Sequence, residues 1–209
     1  RATRCLATPR QMMVVEELLR QLTHLLADRQ HRWALVGGLA VSIRARPRFT
    51  SDLDVAVAVE TDQVAESLIY DLTRQGYRVL ACLEHEGQAR LSTVRLLPKG
   101  QDEEGIVVDL LFASSGIEPE LAAAATALEA LPGVRVPVAT IGHLLALKIL
   151  AMDDVRRPQD RADILALLEY ADAEELHRAQ ESVELITARG FHRAKDLSAL
   201  LQSFLPAPK

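Results

Sequence analysis

Along the chain the spacing of apolar residues changes between about three or four and two, and these changes divide the sequence into elements. Val15, Leu18, Leu19, Leu22, Leu25 and Leu26 recur at helical spacing and predict a helix with one buried face. Thr8, Pro9 and Gln11 supply its N-cap, first-turn proline and capping-box partner, so the helix is expected to begin at Thr8. A short strand over 33–36 runs into Gly37 and Gly38, and a short helix over about 39–45 follows. From 52 to 59 the alternation is strict. Leu53, Val55, Val57 and Val59 share one face of a strand, and Asp52, Asp54, Ala56 and Ala58 share the other. Thr61 caps a helix that turns Val64, Leu68 and Leu72 inward and stops at Gly76.

Two further strands, 77–83 and 89–97, flank the polar segment 84–88 and read as a hairpin, and 99–105 reads as a loop. Residues 106–112 form a nearly continuous apolar run, the mark of a central strand, interrupted by one charge at Asp109. Beyond Ser114 one short piece, 134–138, reads as extended. The rest reads as helices, over about 140–153, 158–170, 173–188 and 194–204. The expected fold class is α/β (α+β), with a mixed β-sheet flanked by helices over 1–115 and a mainly helical region over 116–209.

Composition narrows the setting. With 209 residues, 49% of them hydrophobic, the chain has enough apolar material for a packed core in one or two units. No apolar run approaches the ~20 residues that cross a bilayer. Residues 1–9 lack the apolar stretch of a secretory signal, so no membrane association and a cytoplasmic location are expected. Cys5 and Cys82 have no metal-ligand spacing and are expected as free thiols. The six histidines show no paired spacing and read as surface or capping residues. Charge is uneven: residues 1–50 hold nine arginines against three acidic residues, whereas 51–115 hold twelve acidic residues against five basic ones. A positive face beside a negative pocket suits a site that takes metal ions and a polyanion, and scattered solvated arginines would give the same counts.

The chemistry concentrates between Trp33 and Val59. Asp52 and Asp54 lie two apart on a strand, so both carboxylates leave the same face while Leu53 and Val55 anchor the other. Like charges so placed repel, and oxygen ligands with no histidine nearby point to a hard cation such as Mg²⁺ rather than zinc. Asp109, inside an apolar strand, would cost several kcal/mol if left unpaired and therefore needs a partner. If its strand lies beside that of Asp52 and Asp54, three carboxylates converge in the arrangement that holds two metals about 3.5–4 Å apart. Asp109 would then also be placed to act as a base.

Gly37 and Gly38 let a backbone turn and a helix start approach phosphate oxygens closely. Taken singly, the glycine pair reads as a tight turn and Asp52-Leu53-Asp54 as a solvated strand edge; the order of all the elements together shifts the reading to catalysis. Arg44, Arg46 and Arg48 lie between turn and strand. Either Arg48 meets an entering triphosphate or an RNA acceptor, or all three are ordinary loop arginines. On the helix after Thr140, the stem of Lys148 lies on an apolar stripe, from which it either snorkels to solvent or serves the site. Asp160 sits near a helix start, where a solvated carboxylate is the ordinary finding, whereas Asp163 is expected to face inward.

The pattern Val36-Gly37-Gly38, then Arg48-x-Thr50-x-Asp52-x-Asp54, then Val108-Asp109-Leu110 resembles the minimal nucleotidyltransferase core of the DNA polymerase β superfamily. Residues 144–148 and Arg157-Pro-Gln-Asp160-Arg-Ala-Asp163 resemble the branch that contains the AbiEii toxins of type IV toxin-antitoxin systems, and the likeness covers about 31–168. The resemblance implies a metal-dependent enzyme that moves a nucleoside monophosphate from a nucleoside triphosphate to an acceptor, as a toxin acting on RNA such as the tRNA 3′ end, with a cognate antitoxin as partner. It implies Asp52, Asp54 and Asp109 as ligands of Mg²⁺, two ions with Mn²⁺ as a substitute, and Asp109 as activator of the acceptor. Gly37, Gly38, Thr50, Ser51 and Lys148 would serve the phosphates, with Asp163 positioning Lys148 or the nucleotide, and the C-terminal region would complete the cleft. Gly38 departs from the serine common in the superfamily, which removes one phosphate contact. A small-molecule nucleotidyltransferase of the antibiotic-modifying kind, or a non-catalytic nucleotide-binding module, would share the same core.

Overall fold

The helical spacing of residues 15–26 takes form as α1 (Pro9–Asp28), which buries Leu18, Leu19, Leu22 and Leu26. The computed structural model describes residues 9–47, 50, 52–85, 87, 89–102, 105–153 and 155–205. The expected cap Thr8, Cys5, Arg48 and Ser51 therefore lie outside the described residues. After α1 come β1 (Trp33–Leu35), α2 (Gly37–Arg44), β2 (Asp52–Val57), α3 (Asp62–Arg74), and the hairpin of β3 (Arg78–His85) and β4 (Arg90–Leu97). Thr61 accepts a hydrogen bond from the Val64 N–H at the start of α3. Gly76, at φ +98°, ends that helix in the left-handed conformation that a side chain would disfavour. β5 (Val107–Leu111) is buried along most of its length, as its apolar run predicts.

The second half holds α4 (Glu118–Ala124), β6 (Thr126–Leu131), β7 (Val134–Val138), α5 (Ile141–Ala151), α6 (Gln159–Leu168), α7 (Ala173–Ala188) and α8 (Leu197–Gln202). One difference from the sequence expectation is here. β6, on a stretch that reads as helical, pairs antiparallel with β7, and β7 runs parallel to β1, so a hairpin from the second half extends the sheet. β6 is an edge strand with only part of its residues shielded, so backbone pairing rather than side-chain burial defines it and no period-2 signal marks it. The last helix begins at Leu197 instead of near 194, because Arg193 and Ala194 take positive φ values of 51° and 56°.

All seven strands form one mixed sheet in the order β3-β4-β5-β2-β1-β7-β6. Its centre is the parallel pair β2 and β5, fed by Leu53, Val55, Val57, Val108 and Leu110, each at most 1% exposed. α5 is buried nearly all round and is the hub of the helical side, touching α2, α6, α7 and α8. Gly142 permits this: a Cβ there would lie 2.5 Å from the Glu175 carbonyl oxygen on α7. No described helix is long and apolar enough to cross a membrane.

Arg44 fastens α2 to the added hairpin. Its Nε donates to the Ala139 carbonyl at 2.9 Å, and its Nη2 donates to the Val138 carbonyl at 2.9 Å and to Thr126 Oγ1 at 2.6 Å. Arg46 pairs with Glu169. Replacing Arg44 with Met removes all three bonds, two of them at the carbonyls of buried residues, and urea unfolding should show a loss of about 2 kcal/mol. A change under about 0.5 kcal/mol would show that the tether contributes nothing.

Candidate active site

Strand register decides what meets in the cleft. β2 and β5 pair in parallel with Asp54 opposite Asp109, and β4 and β5 pair antiparallel with Arg95 opposite Asp109. Directly paired residues share a face, so Arg95, Asp109 and Asp54 form a row across three strands spaced about 4.8 Å apart. Asp52, two residues before Asp54, joins them from the same face. Arg95 Nε donates to Asp109 Oδ1 at 2.9 Å and its Nη2 to Oδ2 at 2.6 Å, a two-pronged ion pair.

Asp54 carries the electrostatic cost. Burial first, then the charges of Asp109 and Asp52, push its pKa up to about 6, against the opposing pull of Lys148 and Arg157. The carboxylate rests against Gly37. That residue has φ +63°, and a Cβ on it would come within 1.8 Å of Asp54 Oδ2, so glycine is required on both counts. Gly38 is buried in the first turn of α2. Thr50 sets the entry to β2, its Oγ1 accepting from the Asp52 N–H at 3.3 Å. After β5, Glu118 accepts from the Ser114 and Ser115 N–H groups at 2.9 and 2.8 Å, fixing the loop that forms another wall.

The cleft encloses about 430 Å³, enough for a nucleotide. Gly37, Gly38, Thr50, Asp52, Asp54, Asp109 and the Asp109-bound Arg95 line it from the sheet side, and Lys148, Arg157 and Arg193 line it from the second half of the chain, together with Leu144, Leu147 and Leu150. Lys148 does not snorkel: it is 5% exposed, and its Nζ pairs with Asp160 at 2.7 Å and Asp163 at 2.8 Å. Asp160 and Asp163, three apart on α6, face α5 together. Asp160 is fully buried, not a solvated helix start, and takes a second ion pair from Arg157 at 2.9 Å. His143 also differs from a surface reading. It is buried beside its cap Thr140, and burial first lowers its pKa to about 4. Cys82 is an exposed free thiol.

Arg95 and Arg193 are not among the residues the sequence singles out, and Arg157 appears there only as the first residue of the motif that ends at Asp163. Arg95 depends on cross-strand register, which spacing does not reveal, and Arg193 on a left-handed backbone that residue type does not announce. Arg157 stands next to the helix-start proline and carries the one usable signal, an arginine three residues before Asp160. As placed, the described residues include no group of three or more His, Cys, Asp or Glu side chains that could hold a metal ion. Arg95 engages both oxygens of Asp109. The donor set still fits a hard divalent cation, because three carboxylates without histidine or cysteine are gathered on one face and the pKa of Asp54 is raised by burial and then by the charges of Asp109 and Asp52.

A family model described as "Nucleotidyl transferase AbiEii toxin, Type IV TA system" matches residues 20–208. Among solved structures, the fold is similar to an antigenic nucleotidyltransferase-like protein from Paracoccidioides brasiliensis, with a TM-score of 0.53, 20% identity, and coverage of 95% of this chain and 94% of that one. A weaker likeness, TM-score 0.48 at 15% identity over 91% of this chain and 97% of the other, is to ANT(2″)-Ia in complex with adenylyl-2″-tobramycin. No curated protein matches the sequence.

Two consequences are measurable. A carboxyl group whose pKa is raised on folding binds its proton more tightly in the native state, so in EDTA the contribution of Asp54 to stability, read as the difference between wild type and Asp54→Asn, should fall as pH rises from about 4 to about 6. Asp54→Asn should add roughly 1–3 kcal/mol at pH 7.5; a difference that stays the same across that range would contradict the strain. Lys148→Met leaves Asp160 and Asp163 buried without their shared cation and should cost about 3–5 kcal/mol in urea unfolding. A loss below about 1 kcal/mol would mean that water already compensates the pair.

Proposed function

The chain belongs to the AbiEii family, nucleotidyltransferases of type IV toxin-antitoxin systems, and on that premise we propose that it moves a nucleoside monophosphate from a nucleoside triphosphate to an RNA acceptor such as the tRNA 3′ end, using divalent cations held by Asp52, Asp54 and Asp109. One observation carries this reading: the register that sets Asp54 beside Asp109, against the Gly37-Gly38 turn, in a cleft that Lys148, Arg157 and Arg193 also line. Mg²⁺, with Mn²⁺ as a substitute, would offset the triphosphate charge and make the attacking hydroxyl more acidic. A cognate antitoxin is the expected protein partner.

The side chains divide the remaining work. Gly37 and Gly38 bring backbone close to the phosphates, and Thr50 holds the start of β2 so that Asp52 and Asp54 stay aimed at the cleft. Arg157 and Arg193 face the incoming negative charge from the helical side. Lys148 presents its charge at the cleft wall while Asp160 and Asp163 hold it in place. The acceptor hydroxyl oxygen bonds to the α-phosphorus as the bond from that phosphorus to the bridging oxygen breaks. Pyrophosphate leaves, and Asp109 takes the hydroxyl proton.

Purified protein incubated with total RNA, Mg²⁺ and each α-³²P-labelled triphosphate in turn should label RNA, and Asp54→Asn should lower the rate by at least about a thousandfold. EDTA should abolish labelling. Label appearing in an antibiotic and not in RNA would replace the acceptor. Absence of transfer to either, with all four triphosphates, would reject the catalytic reading.

A further inference from the structure

Arg95 is placed to do more than balance charge. The β4–β5 register sets it directly opposite Asp109, and its fork takes both carboxylate oxygens. Yet packing does not fix it: the Arg95 side chain is 46% exposed, against 10% for Asp109, and it lines the cleft.

Asp109 therefore has two prospective positive partners on the same pair of oxygens. A guanidinium and a divalent cation held by the same carboxylate would repel, so each would weaken the other's hold on Asp109, and the effect is reciprocal. A triphosphate changes the balance, because its oxygens offer the same fork a second two-pronged anionic partner within the cleft.

We propose that Arg95 is a positioning residue that holds Asp109 while the cleft is free of nucleotide and yields it when a triphosphate enters, which makes cation binding at the carboxylate row depend on nucleotide. This rests on the metal-dependent reading above and adds the order of events. The ion pair keeps the carboxylates folded together without a metal, and the triphosphate releases Asp109 for one.

The test is Mn²⁺ binding to the full chain, read from the electron paramagnetic resonance signal of free Mn²⁺, for the wild type, Arg95→Gln and Arg95→Lys. Each is measured with and without a non-reacting α,β-methylene triphosphate whose own Mn²⁺ affinity is subtracted. Without nucleotide, Arg95→Gln should bind Mn²⁺ about tenfold more tightly than the wild type, with Arg95→Lys, which keeps the charge and loses the fork, in between. The analogue should tighten Mn²⁺ binding in the wild type far more than in Arg95→Gln. Thermal melting gives a second readout, in which Mn²⁺ should raise the Tm of Arg95→Gln by more than that of the wild type. If the wild type binds Mn²⁺ with the analogue present but Arg95→Gln gains nothing without it, the inference is overturned and the metal reading stands. An equal analogue effect in both proteins likewise overturns the hand-over. If no form binds Mn²⁺ under any condition, the metal reading falls and this inference falls with it.

Discussion

The pairing of β4, β5 and β2 in one register is the constraint on which the site depends. It sets Arg95, Asp109 and Asp54 side by side, while Leu53, Val55, Val108 and Leu110 fill the core around them. Side-chain direction has a period of two, so a slip of one residue between β2 and β5 would carry Asp109 to the far face and pull apolar residues out of the core. The hydrophobic energy that fixes the register therefore also forces the carboxylates together, against a repulsion that adds to burial in raising the pKa of Asp54.

The helical side supplies the opposite charge under a similar logic. α5 is apolar enough to be buried all round, and one cation set into it, Lys148, must be met by carboxylates that are buried as well. Asp160 and Asp163 meet it from α6, and Arg157 closes the network at the cleft. Breaking such a network costs more than its formation contributes, because each member left alone is a desolvated charge. Arg44, reaching across to the β6–β7 hairpin, binds helix α2 to the same body. The carboxylates of the sheet and the cations Lys148, Arg157 and Arg193 of the second half thus line one cleft.

How much of this can be read from the sequence follows from which interactions are local. Asp52 and Asp54 are legible because strict alternation fixes their shared face, and Asp109 because a charge inside an apolar run needs a reason. Gly37 is legible as a turn; its close approach to Asp54 is not, since the two meet only after β1 and β2 pair. Arg95 is hidden for the same reason. Asp160 misleads because carboxylates at helix starts are common and stable in solvent, so nothing in its neighbours separates the buried case from the exposed one. β6 is missed because the edge of a sheet can be held by backbone bonds alone, with side chains that suit a helix equally well. What the sequence conveys is the periodic half of the site; the half made by long-range pairing appears only in three dimensions.

The central claim is that Asp52, Asp54 and Asp109 form one cation-binding row facing a bound triphosphate. Anomalous scattering from crystals grown with Mn²⁺ and a non-reacting triphosphate tests it most directly. Anomalous density bridging the three carboxylates and the phosphates, on the Gly37 side of the cleft, is the predicted result. A triphosphate seated in the cleft with no anomalous density at these carboxylates would contradict the account.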